Sequence, residues 1–548
     1  MIFLTPAPEQ PSLKVFGIPE LAHLICSGLQ RRDNAGLMRV CRRLFCYVLP
    51  FVWEEVDEAN ALVSMIPGGG IIAYESELSP YVVMQLPSAL ELSRFNIYAP
   101  HVRRFTPCAL HIDQYEGWER FLACTQSIDL LPNLEALYLP VDDYNWDRHP
   151  DRIQAESANW VTAFLSASLR TLRMIPSQAT DPIPIPKKHW LGFNSTNNLM
   201  ATISQRCPQL SSLEIFPDPH SWKAQFEVPL SQEVSFSHDP LQFHLNLAGL
   251  SNLSYLLISP AILSERALVA ISVLPNLQSL RISGYPHDNE VYCDNLQISI
   301  DAFPVLGNLE LCHLDWDTMV NICKSRPIVS SLNYMAIAYP TRQDGSHVHE
   351  QSAGLSDVIS YLAANGASIT TLLVKNRCPQ HFTPEVLQFW KRLPLTSVHL
   401  EMRVPLDNEL EAFWALLSSM PLLEDLKLYT SYESFDLSML KMIVGLLPRL
   451  RSLRIPVEWK QIVTLTEADF ALSRSQNTNP LHIRSDFYLP DPKQENAERV
   501  ARFLFSIHPK SPVVCVADRP IFYHYDEGYI DQTPKDMINL ELWQLLFQ

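Results

Sequence analysis

The chain has 548 residues, 47% hydrophobic and 10% aromatic, with 59 acidic against 42 basic residues and a formal charge of −17. That is ample apolar matter for a large core, and the acidic balance argues against nucleic acid as the partner, because duplex and RNA binders carry a basic patch. With 16 glycines against 42 prolines, the chain is poorly supplied for the glycine-rich loops that phosphate and dinucleotide sites require.

Residues 1–14 read as a flexible start; MIFLTPAPEQPSL has neither the basic n-region nor the apolar h-region of a signal peptide. Residues 15–57 then show three helical stripes. Ile18-Pro19-Glu20 opens the first helix, with Pro where its missing N–H costs nothing and Glu favoured by the dipole. Leu21, Leu24, Ile25 and Leu29 fall on one face. Arg31 to Asn34 reads as a polar turn in which Asp33 or Asn34 caps the next helix. Leu37, Val40, Cys41 and Leu44 make a second apolar stripe, and Phe45, Val48, Leu49, Phe51, Val52 and Trp53 close a third element. A trihelical unit of about 40 residues is too small to be secure alone, so apolar stripes left exposed on it point to a permanent partner. The plainer alternative is a helical cap on the end of a repeat array.

The order Pro19-Glu20-Leu21…Ile25…Leu29…Asp33…Leu37…Val40-Cys41-Arg42-Arg43…Trp53 resembles an F-box, in the form that precedes leucine-rich-like repeats in many fungal proteins. The resemblance implies docking on the SKP-type adaptor of SCF ubiquitin ligases, which in turn holds a cullin. It implies a partner-binding set of Ile18, Pro19, Leu21, Leu24, Ile25, Leu29, Leu37, Val40, Cys41 and Leu44. Ile18 stands where the family usually has Leu, and Leu44-Phe45 stand where a Trp commonly follows Val-Cys-Arg-Arg.

Residues 58–125 read as a linker and N-terminal cap of the repeat body, with Gly68-Gly69-Gly70 as a flexible hinge. From 126 to 488 one phrase returns, Leu-Pro-x-Leu-x-x-Leu-x-Leu, as in LPNLEALYL (Leu131–Leu139), LPNLQSLRI (Leu274–Ile282), MPLLEDLKL (Met420–Leu428) and LPRLRSLRI (Leu447–Ile455). The central apolar residue of each copy is Leu137, Leu172, Leu213, Leu256, Leu280, Leu309, Leu332, Leu372, Val398, Leu426 or Leu453. Steps between neighbours run from 23 residues (309 to 332) to 43 (213 to 256), which suits the leucine-rich repeat with insertions. Leu-x-Leu alternates as a half-buried strand does. Apolar spacings of three and four predict helices over Glu265–Val273, Asp315–Cys323, Asp357–Ala363, Pro384–Leu393, Asn408–Leu417 and Ser438–Val444. The family's Asn/Cys position is mostly missing, so the expectation is an α/β fold: a short trihelical F-box followed by an irregular leucine-rich-repeat-like solenoid. Residues 489–548 read as a C-terminal cap.

Chemistry is sparse. There is no P-loop, Gly-x-Ser-x-Gly elbow or His-Glu-x-x-His, and no catalytic residue, cofactor or metal is expected. His347-Val348-His349-Glu350 carries ligand types in a polar loop and reads as solvated. Asp142, Asp143, Tyr144 and Trp146, directly after a strand ending, form a possible target-binding loop. Pro182–Lys188 reads as a spacer, and the aromatic-acidic Arg519–Tyr529 as part of the cap. The 11 cysteines are scattered, as buried reduced thiols are. No uninterrupted apolar run is long enough to span a membrane. The expectation is a non-catalytic, cytoplasmic or nuclear substrate receptor that binds an adaptor and an unknown protein target. The alternative is a scaffold that binds the adaptor without promoting ubiquitination.

Overall fold

Alternation dictates the strands: in each Leu-x-Leu ending the two leucines point inward and the residue between them points out. The computed structural model describes residues 18–74, 81–107, 112–139, 158–174, 190–218, 241–284, 298–339, 348–375, 384–401, 409–430, 433–471, 477–485 and 494–517, with short pieces at 15–16, 404–405 and 538–542 and a few single residues. Two compact units divide it, Met1–Ala261 with Leu274–Leu277, and Ile262–Val273 with Gln278–Gln548.

The first unit opens with three helices, α1 (Pro19–Gly28), α2 (Arg31–Met38) and α3 (Arg42–Trp53). Its strands are β1 (Glu55–Val56), β2 (Gly70–Tyr74), β3 (Tyr81–Gln85), β4 (Arg104–Phe105), β5 (Gln114–Glu116), β6 (Ala136–Tyr138), β7 (Thr171–Arg173), β8 (Trp190–Leu191), β9 (Ser212–Pro217) and β10 (Tyr255–Ile258). A parallel ladder runs β1-β4-β6-β7-β9-β10, with β8 also on β9, while β2, β3 and β5 form a separate small sheet. Successive registers place Val56 on Phe105, Phe105 on Leu137, Leu137 on Leu172, Leu172 on Leu213 and Leu213 on Leu256.

In the second unit, β11 (Ser279–Ser283), β12 (Asn308–Cys312), β13 (Tyr334–Ala338), β14 (Thr371–Lys375), β15 (Ser397–Glu401), β16 (Asp425–Tyr429), β17 (Ser452–Arg454), β18 (Leu481–Ser485) and β19 (Val513–Ala517) pair in sequence order, all parallel. Here the central column is Leu280, Leu309, Met335, Leu372, Val398, Leu426, Leu453, Ile483 and Cys515. Every residue of both columns is buried, and each aliphatic side chain so removed from water contributes about 1.5–3 kcal/mol. Parallel strands need a crossover, and helices supply it: Trp316–Lys324, Val348–Ala364, Pro384–Arg392, Leu410–Ser418, Leu437–Leu446 and Gln494–Ile507. Consecutive helices of this series, from Trp316–Lys324 onward, pack on one another as the strands do. Strand ladder and helix layer together make each unit a leucine-rich-repeat-like α/β stack. No helix of the described residues is long and apolar enough to cross a membrane.

Asparagines stitch repeats together from the turn before the strand. Asn133 Nδ2 donates to Pro100 O (2.8 Å), Asn252 Nδ2 to Pro208 O (2.8 Å), Asn276 Nδ2 to Ser251 O (2.9 Å) and buried Asn477 Nδ2 to Leu450 O (2.7 Å). Each satisfies a carbonyl of the preceding repeat that a tight turn would otherwise leave unpaired.

Several expectations need correction. Leu332 is not a strand centre; Met335 is, because Leu309 pairs with Met335 and Leu332 is the buried leading leucine of its copy. The repeats also exceed 126–488: the first unit's ladder begins at Glu55–Val56 and the second unit's ends at Val513–Ala517, so the strand Val513–Ala517 and helix Gln494–Ile507 of the expected cap are one more repeat. Gly68-Gly69-Gly70 is an ordered turn and not a hinge. Gly68 and Gly70 take positive φ (81° and 139°), and a Cβ on Gly69 would collide with the backbone at Val63. The polar turn expected at Arg31 to Asn34 is the first turn of α2, with Gln30 at the N-cap position and no side-chain cap, and buried Asn34 donates its Nδ2 to Cys26 O at 2.8 Å. The second apolar stripe is no single helix either. α2 ends at Met38, and Cys41 is the N-cap of α3, its Sγ accepting from Leu44 N at 3.5 Å.

Candidate docking surface

Small residues turn α1 inward and large ones turn it outward. Ala22 and Cys26 are buried against the other helices, whereas Ile18, Leu21, Leu24 and Leu29 are exposed, Leu24 at 70%. At ~100° per residue, Leu21, Leu24 and Ile25 share an arc of about 100°. Val40, in the turn between α2 and α3, is 67% exposed; Leu37 and Ile25 are half-buried, and Pro19 is exposed. Leu44 is different. It is buried at 5% and belongs to the internal contact of α3 with Val48 and Leu49, so it supports the surface from beneath, as Cys41 does by capping. The unit is held to its own body by α2 and α3. Trp53 and Phe45 pack on Tyr98 (ring centroids 4.6 and 6.3 Å), and Arg31 pairs with Asp57 at 2.9 Å and donates Nε to Val52 O at 3.1 Å.

The proposed target loop, Asp142, Asp143, Tyr144 and Trp146, lies outside the described residues, as do His347, Pro182–Lys188 and Arg519–Tyr529. Val348 to Glu350 begin the helix Val348–Ala364.

The outward position of each strand, the residue between the paired leucines, was not singled out from the sequence. From β15 to β18 it is His399, Lys427, Arg454 and Arg484, matched strand to strand in register. The signal was present in the repeated phrase as VHL, LKL and LRI, and needed those copies to be aligned; Arg484, in IRS, follows no such phrase and joins the row only through the pairing of its strand. On the neighbouring row, Asp425 Oδ2 accepts from Ser397 Oγ (2.9 Å) and lies 3.2 Å from His399 Nε2 and 3.5 Å from Lys427 Nζ. Burial alone would raise the Asp425 carboxyl; hydrogen bonds with His399, Ser452 and Ser397 and the Lys427 charge hold it well below the usual carboxylate range. Arg454 Nη1 donates to Tyr429 Oη at 3.0 Å, with its guanidinium 4.9 Å from that ring's centroid. Arg484 and His482 are exposed.

Towards β11 the same outward positions close over. Arg281 and Glu310 pair at 3.4 Å with little solvent access, and Ala336 and Leu373 are buried. Burial pushes the Glu310 carboxyl up against the opposing pull of Arg281. In the first unit, a cleft of about 280 Å³ on the strand face is lined by Glu54, Arg103, Arg104, Glu135, Tyr138 and Arg170, with Arg104 paired to Glu54 at 2.9 Å and Arg103 to Glu135 at 3.5 Å. Burial pushes the thiols of Cys207 and Cys323 up to about 12, so they are packed as protonated apolar groups and not as nucleophiles.

No family model and no curated protein matches the chain. Among solved structures, both leucine-rich-repeat proteins, the chain is similar to TLR13 in a complex with ssRNA13, at 11% identity and TM-score 0.29, covering 76% of this chain and 64% of that one. It is also similar to Toll from the Toll–Spatzle complex of Drosophila, at 12% identity and TM-score 0.24, covering 85% of this chain and 75% of that one. The chain thus spans less than two thirds of the first structure's length.

Proposed function

We propose that the chain is a substrate-recognition subunit of an SCF-type ubiquitin ligase, with α1–α3 acting as an F-box that docks the SKP-type adaptor and the repeat body holding a protein target. One observation carries the reading. Ile18, Leu21, Leu24, Leu29 and Val40 stand in water on the segment whose residue order resembles that box, while the smaller Ala22 and Cys26 fill the interior. A fold that buried its best apolar residues would do the reverse. The mechanism is proximity: a receptor that seats a target beside a charged conjugating enzyme raises the effective concentration of its lysines and performs no bond chemistry itself.

Pull-down of the tagged full chain with a SKP-type adaptor tests this, beside a Leu21→Asp, Leu24→Asp variant whose circular dichroism matches the parent. Adaptor capture by the parent and its loss in the variant are expected. No capture by the parent, or equal capture by both, overturns the reading. If cullin fails to co-purify and bound protein stays unmodified, the chain is an adaptor-binding scaffold.

A further inference from the structure

Four cationic or potentially cationic side chains, His399, Lys427, Arg454 and Arg484, stand side by side across β15–β18. Neighbouring strands lie ~4.8 Å apart, so the row is about 14 Å long. It sits on a chain of net charge −17, where an unselected patch would tend to be acidic. We propose that the outward face of β15–β18 binds an acidic, extended peptide segment of the target, with its carboxylates on Lys427, Arg454 and Arg484. This deepens the receptor reading, on which the word target rests.

Two carboxylates flank the row. Asp425 is committed to Ser397, His399 and Lys427, and Glu401 lies at the next outward position of β15, opposite Tyr429. Arg454 is held over Tyr429, which presets its guanidinium before any ligand arrives; a fork fixed in advance loses less entropy when it takes a carboxylate. Arg484 is exposed and pairs in register with Val516 of β19, where Val514 and Val516 are the outward residues, so the row ends on an apolar step. In an extended peptide, side chains of residues i and i+2 share a face about 6.6 Å apart, within the span that two flexible cationic side chains on adjacent strands can cover. A long polyanion would meet the repulsion of the whole acidic chain, whereas a short acidic peptide meets chiefly the local row within a Debye length of about 8–10 Å.

The test is fluorescence anisotropy of fluorescein-labelled hexaglutamate with the purified full chain, without adaptor. Loss of peptide binding is therefore independent of adaptor docking. Saturable binding that weakens at least tenfold in Arg484→Glu is expected, with further loss in Lys427→Glu, Arg484→Glu and with rising salt. Arg326→Glu, the same charge change at an exposed helical residue elsewhere, should leave affinity within twofold. Absent hexaglutamate binding, equal affinity in Arg484→Glu, equal loss in Arg326→Glu, tighter binding of hexalysine, or displacement by a lower concentration of oligothymidylate would each overturn the assignment. Melting curves of every variant separate a lost site from a lost fold.

Discussion

The three N-terminal helices and the strand ladders use the same residue types in opposite ways. In each ladder the central column, Val56 to Leu256 in one unit and Leu280 to Cys515 in the other, is buried without exception, and its partners are its own sequence neighbours one repeat away. In α1, Ala22 and Cys26 take the inside and leucines take the outside. A ladder completes its own core by stacking; a small helical unit with large aliphatic residues outside has its core only half made. The ladders read as self-sufficient structure; the helical unit leaves a large apolar surface in water.

The sharpest way to break that contrast is in the column. Leu426→Ala removes a fully buried side chain between Val398 and Leu453, and should cost about 2–5 kcal/mol, the range for cavity-forming core substitutions. Urea denaturation measures it; a loss below ~1 kcal/mol would mean that the stack collapses around the gap. Gly354→Ala comes next. Alanine favours a helix by about 1 kcal/mol over glycine, yet a Cβ at Gly354 runs into the Trp316 ring, which is itself stacked on Tyr339 at 5.1 Å. Net destabilisation of roughly 1–3 kcal/mol is expected from overpacking, and a stabilised variant in the same titration would show that Trp316 moves freely. Asn477→Ala should cost about 1–3 kcal/mol, because Leu450 O loses the donor that a buried carbonyl requires; Asn276→Ala, at an exposed stitch, should cost less.

How much of this was legible follows from what each signal depends on. Strand positions were readable because Leu-x-Leu is local: ten of the eleven expected centres, all but Leu332, sit in the columns. Leu332 was misread because its copy, SSLNYMAI, offers two apolar residues three apart, and only pairing with Leu309 chooses Met335. Val56, Phe105, Ile483 and Cys515 were missed because their segments lack the leading Leu-Pro phrase and are strands only by neighbour contact. Helix junctions fared worse. The apolar spacing from Leu37 to Leu44 runs straight through a turn, and nothing in the local sequence announces that Cys41 caps a new helix. The cationic row depends on register across four repeats, so no single copy displays it. The outward leucines of α1 were readable as a stripe, but which stripe faces solvent is decided by α2 and α3.

A smaller effect separates the β15–β18 face from the rest by pH. The Asp425 carboxyl is lowered in the folded chain, so the unfolded state binds its proton first as the pH falls. Its contribution is complete above the ordinary carboxylate range and is lost as the pH drops through that range towards the lowered value. Asp425→Asn should therefore flatten the acid limb of a plot of midpoint denaturant against pH, and an unchanged limb would show that the surrounding hydrogen bonds do not depend on charge.

The smallest expected change in stability is the one that bears most directly on the contrast between the two regions. Leu24→Asp places a charge where the parent leucine is already 70% exposed, so the folded chain should lose no more than about 0.5 kcal/mol, as surface substitutions generally do. Ala22→Asp, two residues earlier, puts a carboxylate into the contact of α1 with its neighbours and should unfold the helical unit, because a buried unpaired charge is far costlier. The pair separates two roles for one helix. If both substitutions melt the unit equally, α1 is a cap packed on all sides and the exposed leucines are incidental. If Leu24→Asp leaves the melt intact while adaptor capture disappears, the apolar face of α1 exists for contact with another chain and not for folding.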